Sequence, residues 1–199
     1  MQNQNHQRSH NNEIYRPPNT NPKEIRFFGI RGKYGILSNF SPTPLTVNGL
    51  DYPTVEHYFQ SMKFVDTDPE HAENVRLAET PLISKKLGKS RDHPLAPGWT
   101  GESGRQRWTG DIRQRGQGPT DGGLSVVVMR RALLNKAFQN EDFRKTLMAI
   151  PNDARIIEAS PFDYFWGEGK EKTGRNMLGV LLMELRDLLV RREKDMYQG

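Results

Sequence analysis

The chain is 199 residues long, 34% of them hydrophobic, with no cysteine and a formal net charge of +5. That length suits one domain, or one domain with a tail. A mean hydropathy of −0.80 and the lack of any apolar run near the ~20 residues of a spanning helix exclude a transmembrane helix, so no membrane partner is expected. Without cysteine there is no disulfide scaffold, thiol nucleophile or cysteine-ligated metal. The histidines form no HExxH motif, so neither a metal nor a cofactor is expected. A pI near 9.5 favours anionic partners such as nucleotides or nucleic acid. The stretch from Met1 to His6 lacks the apolar core of a secretory signal, which makes a cytoplasmic protein the expectation, with the nucleus as the alternative.

Residues 1–23 are rich in Asn, Gln, His and Pro, with Ile14 and Tyr15 as the sizeable apolar groups. Such a stretch buries too little surface to offset its ordering entropy and reads as a disordered leader. A single domain is expected over 24–195, opening on a strand at 24–30. Leu45 to Tyr52 reads as a hairpin, because Asn48-Gly49 supplies the positive φ angles of a type I′ turn between alternating residues. The period then becomes helical. Thr54 is the expected N-cap of a helix reaching about Val65, and further helices are predicted at 68–79, 81–89, 124–138 and 140–149. Residues 154–159 read as another strand. A last helix over 174–193 sets Leu178, Leu181, Leu182, Leu185, Leu188 and Leu189 at helical spacing. Residues 91–123 are dense in Gly, Pro and Arg, contain Trp99 and Trp108, and are too long for an ordinary connection; they form a functional loop or a mobile insertion. The three strand regions are expected to make one small sheet in an α+β, predominantly helical single domain.

Two segments carry candidate chemistry. On the helix beginning at Thr54, a turn of about 100° per residue gathers Val55, Phe59 and Met62 on one face. Glu56, Gln60 and Lys63 form a second stripe at its margin. Glu56 and Lys63 lie about 10.5 Å apart along the axis, too far for the one-turn ion pair of i,i+3 or i,i+4 spacing but placed to converge on something lying beside the helix. Either these are solvated charges, with Glu56 favoured by the helix dipole, or the surrounding Tyr58, Phe59 and Phe64 desolvate them. In the second case a lysine near neutrality attacks as an amine and a carboxyl moves protons.

The second segment runs from Ser160 to Asn176. Asp163 stands three residues before Trp166, and a glycine-rich loop containing Gly167, Gly169 and Gly174 follows. One reading is a pocket rim whose backbone N–H groups near Gly174, Arg175 and Asn176 hold phosphate and whose Trp166 stacks on a base or sugar. The other is a turn capped by Asp163 with Trp166 in the core. Gly88-Lys89-Ser90 ends like a phosphate-binding P-loop, but Ile83 occupies the position of its first glycine and no strand precedes it, so that motif is rejected. Arg105, Arg107, Arg113 and Arg115 form a basic run, either a nucleic-acid contact or a solvated loop.

These residues resemble the NADAR (YbiA-like) family. The likeness rests on Tyr52-Pro53-Thr54-Val55-Glu56-His57-Tyr58-Phe59-Gln60-x-x-Lys63-Phe64, on Asp163-x-x-Trp166-Gly167-x-Gly169 continuing through Gly174-x-Asn176-x-Leu178-Gly179, and on Phe28-Gly29 with Leu37-Ser38-Asn39-Phe40-Ser41-Pro42. It covers about residues 26–190. The departure lies in 91–123, which look longer and more arginine-rich than in compact bacterial members, so no inherited role attaches to them.

The resemblance implies a YbiA-like fold and hydrolysis of an N-glycosidic bond between ribose and a nitrogen base. Its substrate is ADP-ribosylated guanine in DNA, RNA or a nucleotide, or a ribosylated riboflavin-pathway intermediate; a third outcome is an ADP-ribose-binding module without turnover. Joined to the chemistry above, it makes Lys63 the nucleophile and Glu56 the proton carrier, with Asp163 orienting ribose. Ser38, Asn39, Tyr58, Gln60, Trp166, Gly167, Gly169, Gly174 and Asn176 are the expected substrate-binding residues. Ser38 and Asn39, with the backbone at Gly174–Asn176, are expected to hold phosphates. The expected partner is an ADP-ribose-containing nucleotide or ADP-ribosylated nucleic acid, bound by a monomer.

Overall fold

The computed structural model describes residues 23–99 and 123–198; residues 1–22 of the predicted leader, Trp108 and the arginines of the predicted basic run lie outside them. Among the described residues there are four strands, β1 (Glu24–Phe27), β2 (Leu45–Val47), β3 (Leu50–Tyr52) and β4 (Arg155–Glu158). The six helices are α1 (Val55–Ser61), α2 (Pro69–Arg76), α3 (Pro81–Leu87), α4 (Gly123–Gln139), α5 (Glu141–Met148) and α6 (Met177–Gln198). The α+β, mostly helical class read from the sequence holds.

Local chemistry sets most element boundaries. Asn48 and Gly49 take φ values of 53° and 77° and turn β2 antiparallel onto β3, with Leu45 opposite Tyr52. Three polar side chains cap helices by accepting N–H hydrogen bonds: Thr54 from His57, Asp68 from His71 and Thr80 from Ile83. The Thr54 hydroxyl also bonds His57 Nδ1 at 2.8 Å, while Nε2 donates to the Ala78 carbonyl at 3.0 Å. The predicted single sheet is instead two separate pairs: β1 runs parallel to β4, and the hairpin stands by itself. The hairpin's inward residues, Leu45, Val47 and Tyr52, are spent on the core beside α1 and α4, so it cannot extend the β1–β4 pair.

β4 packs on α6, and Ile25, Phe27 and Ile156 share one buried core with Leu178, Leu181, Leu182, Leu185 and Leu189 of that helix; Leu188, predicted on the same stripe, is 38% exposed. Asn176 fastens the start of α6 to β4, accepting from the Glu158 N–H at 2.9 Å and donating to the Ile156 carbonyl at 2.8 Å. Trp99, predicted within the long connection, belongs to the core at 5.2 Å from the Phe59 ring. Leu124 N–H donates to the Gly98 carbonyl and Ser125 N–H to the Trp99 carbonyl. The backbone therefore closes on itself across this interval through described residues alone. On α4, the wholly buried Lys136 donates to the carbonyls of Ile36 and Ser38 at 2.7 and 3.0 Å.

Two outcomes follow from this packing. Deleting residues 102–121 leaves the Gly98–Leu124 and Trp99–Ser125 bonds in place, so the thermal midpoint of the shortened chain should stay within a few degrees of the parent; a large fall would show that the missing residues support the core. Burial pulls Lys136 down to about 7. Between that value and its ordinary range the unfolded chain binds the extra proton, so stability rises with pH there. Denaturant midpoints at pH 7 and 9.5 should accordingly rise more for the parent than for Lys136→Met.

Candidate active site

Helix α1 is seven residues long and buried on every side: all of Val55 to Ser61 are inaccessible. The wheel drawn from the sequence assumed one covered face. Packing against α2, α3, α4 and β3 covers the rest, which takes Glu56 out of water, at 5% exposure. Lys63 sits just beyond the helix end, its N–H donating to the Gln60 carbonyl in a tightened last turn.

Beside α1 opens a cleft of about 470 Å³, within the usual small-ligand range of roughly 300–1,000 Å³. It brings together Glu56, Gln60 and Lys63 from the α1 region, Ser38 and Asn39 from the loop before the hairpin, and Asp163 and Trp166 from the loop before α6. Phe27, Phe28, Phe40, Phe59 and Phe162 supply aromatic walls, and Lys85 and Lys89 a cationic side. The Asn39 carbonyl accepts the Glu56 N–H at 3.0 Å, which joins two of these segments directly. Trp166 meets Phe59 edge-on at 5.3 Å.

Burial governs the electrostatics. Gln60 Nε2 donates to Glu56 Oε1 at 2.7 Å, yet desolvation outweighs that bond and the nearby ammonium groups and raises the Glu56 carboxyl. Lys63 donates to the Gly88 carbonyl at 2.8 Å. Desolvation lowers its ammonium to about 8, against the opposing pull of Glu56 and with help from Arg91, Lys85 and Lys89. A fraction of Lys63 is thus a free amine near neutral pH. Asp163 Oδ1 accepts the N–H groups of Phe165 and Trp166 at 2.9 and 2.7 Å, so it caps its turn, as one sequence reading had it, and lines the cleft at once.

Sequence reasoning missed Glu158. It ends β4, lines the cleft, and has Oε2 buried without a hydrogen-bond partner. Burial, reinforced by Asp163, pushes its carboxyl up to about 7. The signal available was its place at the carboxyl end of a predicted strand five residues before Asp163. Gly167 packs so close that a Cβ there would stand 2.1 Å from Glu158 Oε2, which gives this predicted site glycine a role as spacer.

Several predicted site residues lie elsewhere. Tyr58 is on the far side of α1, 1% exposed and edge-on to Tyr52 at 5.0 Å. Gly169, Gly174 and Asn176 do not line the cleft. The N–H groups of Gly174, Arg175 and Asn176, expected to hold phosphate, donate instead to the carbonyls of Glu168, Tyr164 and Gly167. The loop folds back over the start of α6 and consumes the donors that an anion would need.

An enclosed lysine and three carboxyls beside an aromatic wall define a site for acid–base and amine chemistry on a small organic substrate. The NADAR domain matches residues 26–190, and the chain belongs to the NADAR family. It is similar to N-glycosidase YbiA of Escherichia coli (strain K12), 34% identical over 165 residues that cover 83% of this chain and 88% of that protein. N-glycosidase Npun_R5314 of Nostoc punctiforme is 32% identical, covering 82% and 90%. The chain also matches the riboflavin biosynthesis protein PYRR of Zea mays at 32% identity, spanning 26% of that longer protein. The NMR structure of the E. coli protein YbiA superposes with a TM-score of 0.67 at 32% identity, covering 86% of this chain and 88% of that one.

The charges around Lys63 make a prediction of opposite signs. Following the lysine Cε resonance by NMR against pH, Glu56→Gln should move the Lys63 midpoint below about 8, because it removes the anion favouring the ammonium form. Lys85→Met should move it up, because it removes a like charge.

Proposed function

We propose that this N-glycosyl hydrolase removes ADP-ribose from ADP-ribosylated guanine bases in DNA, RNA or nucleotides. The observation that carries the reading is the convergence of Lys63, Glu56 and Asp163 on one cleft that also holds Trp166. Lys85 and Lys89 line that cleft as donors for a phosphate-bearing sugar.

Ribose C1 carries both the ring oxygen and the base nitrogen. When the sugar ring opens, C1 becomes doubly bonded to the base nitrogen. The neutral Lys63 amine adds there, and the base leaves with the electron pair of its C1–N bond. Water hydrolyses the resulting lysine imine, restoring the amine and freeing the sugar. Glu56 exchanges protons with the amine and the attacking water. Asp163 orients the ribose hydroxyls, and Trp166 offers its ring to the base or sugar. A direct route through an oxocarbenium-like C1 uses the same groups, with the carboxylates stabilising the cation.

A second reading, hydrolysis of a ribosylated riboflavin-pathway intermediate, is favoured by the names of two similar proteins, the maize protein above and riboflavin biosynthesis protein VVA0006 of Vibrio vulnificus. Incubation with ADP-ribosylated guanine DNA and, in parallel, with a ribosylaminopyrimidine phosphate separates the readings by which sugar is released. Tight ADP-ribose binding with neither release would mark a binding module.

Borohydride added during turnover should trap the sugar on Lys63, read as a mass increase on its peptide. Lys63→Ala should lose both the adduct and at least a hundredfold in rate, whereas retained activity would remove the nucleophile role. Because the amine must be neutral, the acidic limb of the parent's pH–rate profile should rise with pH as the Lys63 amine is freed, and Lys63→Ala should lose that limb.

A further inference from the structure

Three of the four buried, unpartnered side-chain polar atoms among the described residues belong to residues lining the cleft: Asn39 Oδ1, Gln60 Oε1 and Glu158 Oε2. Of these, Glu158 alone is ionisable. The fold holds it firmly: β4 pairs it with Phe27, Asn176 accepts its backbone N–H, and its carbonyl accepts the N–H of Glu168. Its side chain is fixed just as closely, with Oε2 against the Cα of Gly167. The Ser160 N–H bonds the carboxyl group, but Oε2 has no donor, and burying a carboxylate with one oxygen unpaired is costlier than burying the acid.

From this geometry we infer that Glu158 is a further catalytic residue, the acid that gives its proton to the departing nitrogen of the nucleobase. The inference rests on the N-glycosidase reading above. A nitrogen base leaves C1 with the electron pair of the broken bond and, at neutral pH, is a poor leaving group until that nitrogen is protonated. Glu158 supplies the proton and becomes a carboxylate. The water that completes hydrolysis brings two protons: one returns to Glu158 and the other stays on the new sugar hydroxyl. Base, sugar and enzyme then balance with no co-reactant beyond water.

The groups facing Glu158 agree with this assignment. Burial and then the repulsion of Asp163, on the loop before α6, keep the acid form, and together they outweigh the Ser160 N–H bond and Lys85 of α3, which favour the carboxylate. Arg26 on β1 is taken by Glu24 and Glu168 and does not pair with Glu158. Glu56 and Lys63 complete the charged lining. With the carboxyl near 7, the acid form is lost as pH rises, a trend opposite to that of the Lys63 amine. Glu56 and Lys63 then serve the incoming side of the reaction and Glu158 the outgoing side.

The test compares two substrates cleaved at the same carbon: a ribosylated nitrogen base that the parent hydrolyses, and 4-nitrophenyl riboside 5-phosphate, whose phenolate departs unprotonated. Glu158→Gln should lose on the order of a hundredfold or more in kcat/KM on the nitrogen base, keep the nitrophenyl rate within about threefold, and melt like the parent. Retained nitrogen-base activity, or equal losses on both substrates in a folded variant, would overturn the assignment. Should the variant fail to fold, the parent pH profiles decide: the nitrogen-base rate should be bell-shaped, rising as the Lys63 amine is freed and falling at alkaline pH as the Glu158 acid is lost, while the nitrophenyl rate should show no alkaline fall; identical profiles would overturn it. A parent that cleaves neither substrate would overturn the N-glycosidase reading and this assignment with it; a parent that cleaves both with Glu158→Gln unchanged would overturn the assignment alone.

Discussion

Withdrawing ionisable groups from water is the constraint around which this domain is arranged. Helix α1 is buried along its whole length, so Glu56 is almost wholly withdrawn from solvent, and the turn after it carries Lys63 to the same cleft. Desolvation acts in opposite directions on the two classes of group, raising the Glu56 and Glu158 carboxyls and lowering the Lys63 amine. Glu158 at about 7 and Lys63 at about 8 therefore meet near neutrality, where each can change protonation at the same pH. Ordinary surface residues of the same types would stand several units apart and would not exchange roles at a common pH.

The scaffold around the cleft is concerned with holding these groups still. Asn176 locks the end of β4 to the beginning of α6, and Gly167 leaves only the space that Glu158 occupies. Behind Ser38, the buried Lys136 gathers two carbonyl groups of the loop that forms one wall. It is a second lysine weakened by burial, at about 7, yet it does not line the cleft. A shifted ionisation alone therefore does not identify a reacting group; here position in the cleft separates a structural lysine from the candidate nucleophile.

Features written in short stretches of chain were legible before the structure. The Asn48-Gly49 hairpin, the cap at Thr54, the strand at 155–158 and the last helix each follow from neighbouring residues. So does the Glu56–Gln60–Lys63 stripe, and the cleft does gather those three. What was not legible depends on residues distant in sequence. Glu158 looks like an ordinary strand end until Asp163 and Lys85 are placed around it. The N–H groups at Gly174–Asn176 look available until the preceding loop folds back upon them, and Tyr58 looks like part of the pocket until α1 is seen to present that side to Tyr52. The division of the strands into two pairs is likewise a packing outcome, decided by where the hairpin's inward side chains find cover.

The parallel pairing of β1 with β4 joins Glu24 to Arg155 and Phe27 to Glu158, so the first strand waits for a partner that emerges from the ribosome more than a hundred residues later. During synthesis the early helices can form while the strand beside them stays unzipped. A prematurely ended product therefore carries the lysine without the acids at the opposite wall. The chain therefore brings the two walls of the cleft together only when almost the entire domain exists.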